Sequence, residues 1–170
     1  TVGRESRNGG FKKAHPDATI KVSGGSSGNF FAQIKNGAPF DVFLSADMSY
    51  PMELIKAGLA QEGDVVQYAV GRIVLWTTTE QVDVSKGLAV LRDGALVKKI
   101  AIANPAHAPY GRAAKAALEH EGLWEEVEGR LVLGENVAQT AQFVQTGNAE
   151  AGIVALPRGM ARRPAKAGRV

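Results

Sequence analysis

The chain has 170 residues, 45% hydrophobic and 22% charged, with 20 Lys and Arg against 17 Asp and Glu for a net charge of +3. That length and balance suit one domain or two small ones with a real core, and exclude a disordered polyelectrolyte. With no cysteine, the chain can hold no disulfide, thiolate metal site or cysteine nucleophile.

Residues 1–10 carry Arg4, Glu5 and Arg7 and lack the apolar run of a secretory signal. An apolar run at 18–22 reads as a strand, and Ser23-Gly24-Gly25-Ser26-Ser27-Gly28 follows it as a turn into a helix. Phe30, Phe31 and Ile34 return at helical spacing, the serines suit the N-cap, and Gly37 followed by Pro39 ends the helix. A second strand is expected at 41–45, and a helix through Met52, Leu54, Ile55 and Leu59. The next strand is expected at 72–77, and the polar segment 77–86 reads as the passage into a second lobe. The expected division is therefore a first lobe at 1–77 and a second at 78–170.

A strand at 100–103 leads into Asn104-Pro105-Ala106-His107-Ala108-Pro109-Tyr110-Gly111, a loop stiffened by two prolines, and then an alanine-rich helix through Ala113, Ala117 and Leu118 to about His120. Glu125, Glu126 and Glu128 mark a solvated face. A strand at 131–133, the turn Gly134-Glu135-Asn136-Val137, a helix at 137–145 stopping at Gly147, and a strand at 151–156 complete the alternation. Strands alternating with helices argue for α/β layering with mostly parallel strands. The longest apolar stretches are too short to cross a bilayer as a helix. The last residues are basic, with Arg158, Arg162, Arg163, Lys166 and Arg169 and no acid. They offer no aromatic residue for stacking bases, so no nucleic-acid partner is expected.

Three turns, at 23–28, 104–111 and 134–137, each end a strand and open a helix. A helix start presents backbone N–H groups without intrahelical acceptors and a partial positive charge, which is an anion site in principle. Ligands in open α/β sheets collect beyond the carboxyl ends of strands, where such turns lie. Neither a Walker A loop nor a spaced dinucleotide fingerprint is present. His15, His107 and His120 show no metal-binding spacing, and His107 reads as a loop residue. No serine lies in a nucleophile elbow, and no pair of acids is spaced for acid–base work.

Four stretches, taken in order, resemble the molybdate-binding family of type II periplasmic binding proteins. They are Gly25-Ser26-Ser27-Gly28 with Phe31-Ala32-Gln33-Ile34; Gly37-Ala38-Pro39-Phe40-Asp41-Val42-Phe43-Leu44-Ser45-Ala46-Asp47; Asn104 to Gly111; and Gly134-Glu135-Asn136-Val137 through Gly152-Ile153-Val154-Ala155-Leu156. The resemblance implies a two-lobed α/β fold of mixed, mostly parallel sheets flanked by helices, with an oxyanion held in the cleft. It implies a contact set of Ser26, Ser27, Tyr110 and Val137. Ser27 would give its hydroxyl and backbone N–H; Tyr110 and Val137 would give backbone N–H groups. Ser27, Tyr110 and Val137 would touch the oxygens of the oxyanion and not the metal itself. Some members carry a tyrosine donor where Ala155 stands here, and Tyr110 is expected to compensate by shaping the cleft. Residues 1–10 do not match the strand and hydroxyl-bearing turn with which the family begins, and the family continues past Leu156 to return to the first lobe. The first lobe is therefore expected to be incomplete, with an empty central position in its sheet.

The function so implied is capture of molybdate, and of tungstate, for the membrane permease of an ABC importer. It would act in the periplasm, as a monomer, with no cofactor and no turnover. The sequence leaves two other readings open: a cytoplasmic oxyanion-sensing domain of a regulator, and an enzyme acting on phosphate esters, which would need Ser26, Ser27 and His107 to converge.

Overall fold

The computed structural model describes residue 11 and residues 13–156. The basic tail singled out in the sequence, and residues 1–10, lie outside the described residues. Helices are α1 (Ser27–Lys35), α2 (Ser49–Lys56), α3 (Pro109–His120), α4 (Trp124–Val127) and α5 (Val137–Gln145), and strands are β1 (Ile73–Thr77), β2 (Ile100–Ala103), β3 (Leu131–Gly134) and β4 (Ala151–Ala155). Short 3-10 turns cover Glu62–Asp64, Val84–Arg92 and Glu128–Arg130.

The strands form one mixed sheet in the order β1-β4-β2-β3, so the architecture is α/β with a sheet flanked by helices. β2 runs parallel to both neighbours, with Ile100 opposite Leu131 on one side and Ala151 on the other. β1 closes the far edge antiparallel to β4, pairing Ile73 with Ala155 and Thr77 with Ala151. Both central strands, β2 and β4, are buried along their full length. Parallel strands covered on both faces read as continuous apolar runs, and Ile-Ala-Ile-Ala and Ala-Gly-Ile-Val-Ala are such runs.

Side chains alternate across a strand, so each strand feeds two cores. Ile100, Ile102, Ala151 and Ile153 face Ala114 and Leu118 of α3, Val127 of α4, and Val90 and Leu91. Ala101 and Val154 face Ala141 and Val144 of α5 on the opposite side. Leu118 is fully buried in the first of these layers. Leu118→Ala is expected to lower unfolding free energy by ~2–5 kcal/mol, because lost transfer energy and an unfilled cavity add. Urea titration followed by circular dichroism checks this, and an unchanged midpoint would remove Leu118 from the core.

Before β1 the structure departs from the expected strands. Residues 18–22 and 41–45 enter no ladder. Several of their apolar side chains stay open to solvent, with Val42 75% and Leu44 70% exposed, although Ser45 is buried; Val70 is 79% exposed. Strand propensity is local, but a strand exists only where a neighbour pairs its N–H and C=O groups. The described part of this region is held instead by aromatic contacts. Phe30 meets Phe40 edge to face at 5.5 Å, and Phe31 lies 5.2 Å from the Tyr50 ring.

Candidate functional site

The site is built where β2 and β3 end. At these neighbouring parallel strands the chain turns into α3 and α5, and the Asn104 amide donates to the Gly134 carbonyl at 2.7 Å, extending the ladder into the two turns. Gly111 permits the α3 turn to press on the end of β2, since a Cβ there would run into the Ala103 carbonyl. The start of α1, from a distant part of the chain, docks against the same place.

That docking is specific. The Gly28 amide donates to the His107 carbonyl at 3.0 Å. Ser26 Oγ lies 2.9 Å from His107 Nδ1, and Asn29 Nδ2 donates to Glu135 Oε2 at 3.4 Å. His107 Nε2 faces the same Glu135 oxygen at 3.7 Å. Tyr50 Oη donates to the His107 carbonyl at 3.3 Å, and Arg112 Nη1 donates to Tyr50 Oη at 2.9 Å. Arg112 also pairs with Asp47 and stacks over the Tyr50 ring at 5.0 Å. Burial works against the Arg112 charge, but the hydrogen bonds it donates to Tyr50 and Asp47 outweigh it and hold its proton more tightly than usual.

The first-turn amides of these helices are mostly taken up locally. In α1, Ser26 Oγ accepts from the Asn29 amide, the Phe30 amide reaches the Ser26 carbonyl, and Gly28 is taken by His107. In α3, Pro109 has no N–H, and the Gly111 and Arg112 amides both reach the Ala108 carbonyl. In α5, Asn136 Oδ1 accepts from Ala138 and Gln139, and the Thr140 amide reaches the Asn136 carbonyl. Among the described residues, no acceptor takes the amides of Ser27, Tyr110 or Val137. Each helix start therefore keeps one donor without an acceptor among the described residues, and the starts are tied together through residues 26–29, 107 and 135.

The Ser27 hydroxyl accepts from the Ala46 amide at 2.9 Å, which leaves its own proton available to donate. The Tyr110 phenol lies over Gly71, where an added Cβ would come within 2.8 Å of Oη. Burial, with Tyr68 nearby, raises the phenol above its ordinary pKa and keeps it neutral. Among the described residues no cluster of three or more His, Cys, Asp and Glu side chains is arranged to hold a metal ion.

Of the sequence candidates, Ser26 and His107 meet, but Ser27 Oγ is directed to Ala46 instead of the imidazole. Among the described residues, the imidazole is hydrogen-bonded to Ser26 and not to Ser27. Sequence reasoning assigned His107 to the loop and missed its bond to Ser26. It also missed Asn29, Tyr50, Arg112, Asp47 and Glu135 as supports. The rigid Asn104–Gly111 loop was legible, but nothing local points from residue 107 to residue 26.

A model of bacterial extracellular solute-binding proteins matches residues 8–170. The chain is 48% identical over 137 residues to the molybdate-binding protein ModA of Azotobacter vinelandii, spanning 81% of this chain and 54% of that protein. It is 42% identical to ModA of Rhodobacter capsulatus, over 81% of this chain and 53% of the other. The chain thus spans about half the length of both relatives. The solved structure of the Azotobacter vinelandii periplasmic molybdate-binding protein superposes with a TM-score of 0.83 at 38% identity, over 94% of this chain and 70% of that one.

Proposed function

The chain belongs to the bacterial extracellular solute-binding protein family, and from that membership we propose that it captures molybdate at the three convergent helix starts for delivery to the permease of an ABC importer. The observation that carries this reading is that, among the described residues, no acceptor takes the amides of Ser27, Tyr110 and Val137 at the three helix starts, while the Ser27 hydroxyl accepts from Ala46 and keeps its proton to donate. Four neutral donors suit a tetrahedral dianion. Hydrogen bonds to a charged oxygen are about twice as strong as neutral ones, and helix starts add favourable partial charge. Arg112, the cation nearest Tyr110 in sequence, is committed to Asp47, so the ligand's charge would be met by dipoles.

Such a cage discriminates by oxyanion size, because donors fixed by packing cannot follow a smaller ion inward. Molybdate and tungstate, nearly equal in size, would both bind, and sulfate poorly. Both relatives are named for molybdate binding, which supports the choice of ligand. The solved relative is a periplasmic molybdate-binding protein, which supports action in the periplasm; we read the chain as a monomeric carrier without catalytic turnover. The lobe boundary, expected at residue 77, is proposed just before β1, because β1 pairs with β4 in the sheet of the second lobe, with the cleft between the α1 start and the α3 and α5 starts.

Calorimetric titration of this chain with molybdate, tungstate, sulfate and phosphate tests the reading. Saturable one-to-one heat with the first two, and at least about tenfold weaker binding of sulfate (~1.4 kcal/mol), is expected. Equal affinity for all four would remove the size-selective cage. No heat from a folded sample would mean that this chain does not capture the ion.

A further inference from the structure

Ser26 adjoins Ser27 and was expected to touch the ligand with it. Its proton is better placed elsewhere. The Ser26 oxygen accepts the Asn29 amide at 3.3 Å as the N-cap of α1, and it lies 2.9 Å from His107 Nδ1. A hydroxyl has one proton to give. If His107 Nδ1 carried a hydrogen, Ser26 would accept twice, and its own proton, on a side chain that is 4% exposed, would be free for the ligand. If Nδ1 is bare, Ser26 donates to it and has nothing left. The second arrangement puts the imidazole hydrogen on Nε2, which faces the Glu135 carboxylate at 3.7 Å. A buried hydroxyl proton with an acceptor at 2.9 Å is the arrangement that satisfies both partners without calling on a ligand.

Resting on the oxyanion-capture reading, we propose that His107, in its Nε2–H form, is a positioning residue that receives the Ser26 proton and locks the start of α1 to the turn before α3, and that Ser26 acts through it without contacting the ligand. The backbone of the same residue completes the lock. The His107 carbonyl accepts the Gly28 amide at 3.0 Å and the Tyr50 hydroxyl at 3.3 Å. One residue thus fixes the distance between the free amide of Ser27 and that of Tyr110. The imidazole holds the cap of α1, and the carbonyl holds the second residue of the helix.

The first measurement needs no ligand. Long-range proton–nitrogen NMR on the nitrogen-15-labelled chain at alkaline pH is expected to show a bare, pyridine-like Nδ1 and a protonated Nε2 for His107. A protonated Nδ1 overturns the proposal, because Ser26 would then be a donor to the ligand. The second measurement is molybdate calorimetry on Ser26→Ala, His107→Ala, the double variant, His107→Asn and His107→Gln. About a tenfold loss is expected for each alanine variant, with no further loss in the double variant, since coupled residues are not additive. His107→Asn, whose side-chain oxygen can stand near Nδ1, is expected to recover most of the affinity, and His107→Gln is not. Additive losses from Ser26→Ala and His107→Ala would show that Ser26 meets the ligand directly and would overturn the proposal. If the parent chain binds no molybdate, the capture reading fails, while the tautomer still decides the role of His107.

Discussion

Gly28→Ala is expected to weaken molybdate binding by about 10- to 100-fold, with little change in the stability of the sheet and its helices. The added Cβ would stand 2.5 Å from Tyr50 Oη, 2.6 Å from the His107 carbonyl oxygen and 2.9 Å from His107 Cβ. The carbonyl cannot simply turn aside, because it already accepts the Gly28 amide and the Tyr50 hydroxyl. The start of α1 must therefore back away from the α3 turn. Overpacking of this kind costs ~1–3 kcal/mol, and here the cost falls on the arrangement that binds. Gly28 is helical, so backbone conformation adds no penalty, and the effect is purely one of space. Calorimetry with molybdate, beside a urea titration of the same variant, separates the two effects. Wild-type affinity in a folded Gly28→Ala variant would mean that close approach of α1 to the 104–112 turn is not what assembles the site.

Ser27→Ala is expected to reduce affinity by about 10- to 150-fold, the equivalent of ~1.5–3 kcal/mol for a hydrogen bond to a charged group. The backbone amide at position 27 remains, so binding should weaken without vanishing. The fold should tolerate the change. The Ala46 amide loses its acceptor, but Ala46 is exposed and water can replace the hydroxyl. Val137→Ala is the matching control. It keeps the amide, and although Val137 packs partly against the core beside α5, its side chain is not a donor, so affinity is expected to stay within about threefold while any cost falls on stability. Equal losses in the two variants would indicate that the Ser27 hydroxyl is not a donor to the ion.

Much of this molecule was readable before any coordinate. Helices at Ser27–Lys35, Pro109–His120 and Val137–Gln145 stand where serine and asparagine caps, proline and apolar spacing put them. The strands at residues 73–77, 100–103, 131–134 and 151–155 follow their apolar runs. These features share one cause: caps, helical periodicity and β-branched runs act over a few residues, so their physics is contained in short stretches of sequence. The resemblance singled out Ser26, Ser27, Tyr110 and Val137; among the described residues, no acceptor takes the amides of the last three.

Other properties depend on residues far apart in the chain. The runs at 18–22 and 41–45 have strand composition but no ladder, because pairing needs a neighbour that composition cannot supply. Sequence alone therefore determined where this chain can form helices and strands, and which turns could face an anion. Only the tertiary structure decided that Ser26 meets His107 across 81 positions, that Gly28 must be small, and that Arg112 is paired with Asp47. The reason is physical: a cap is decided by the next three residues, whereas the partner of a buried hydroxyl or a guanidinium is decided by whichever distant segment packing brings within about 3 Å.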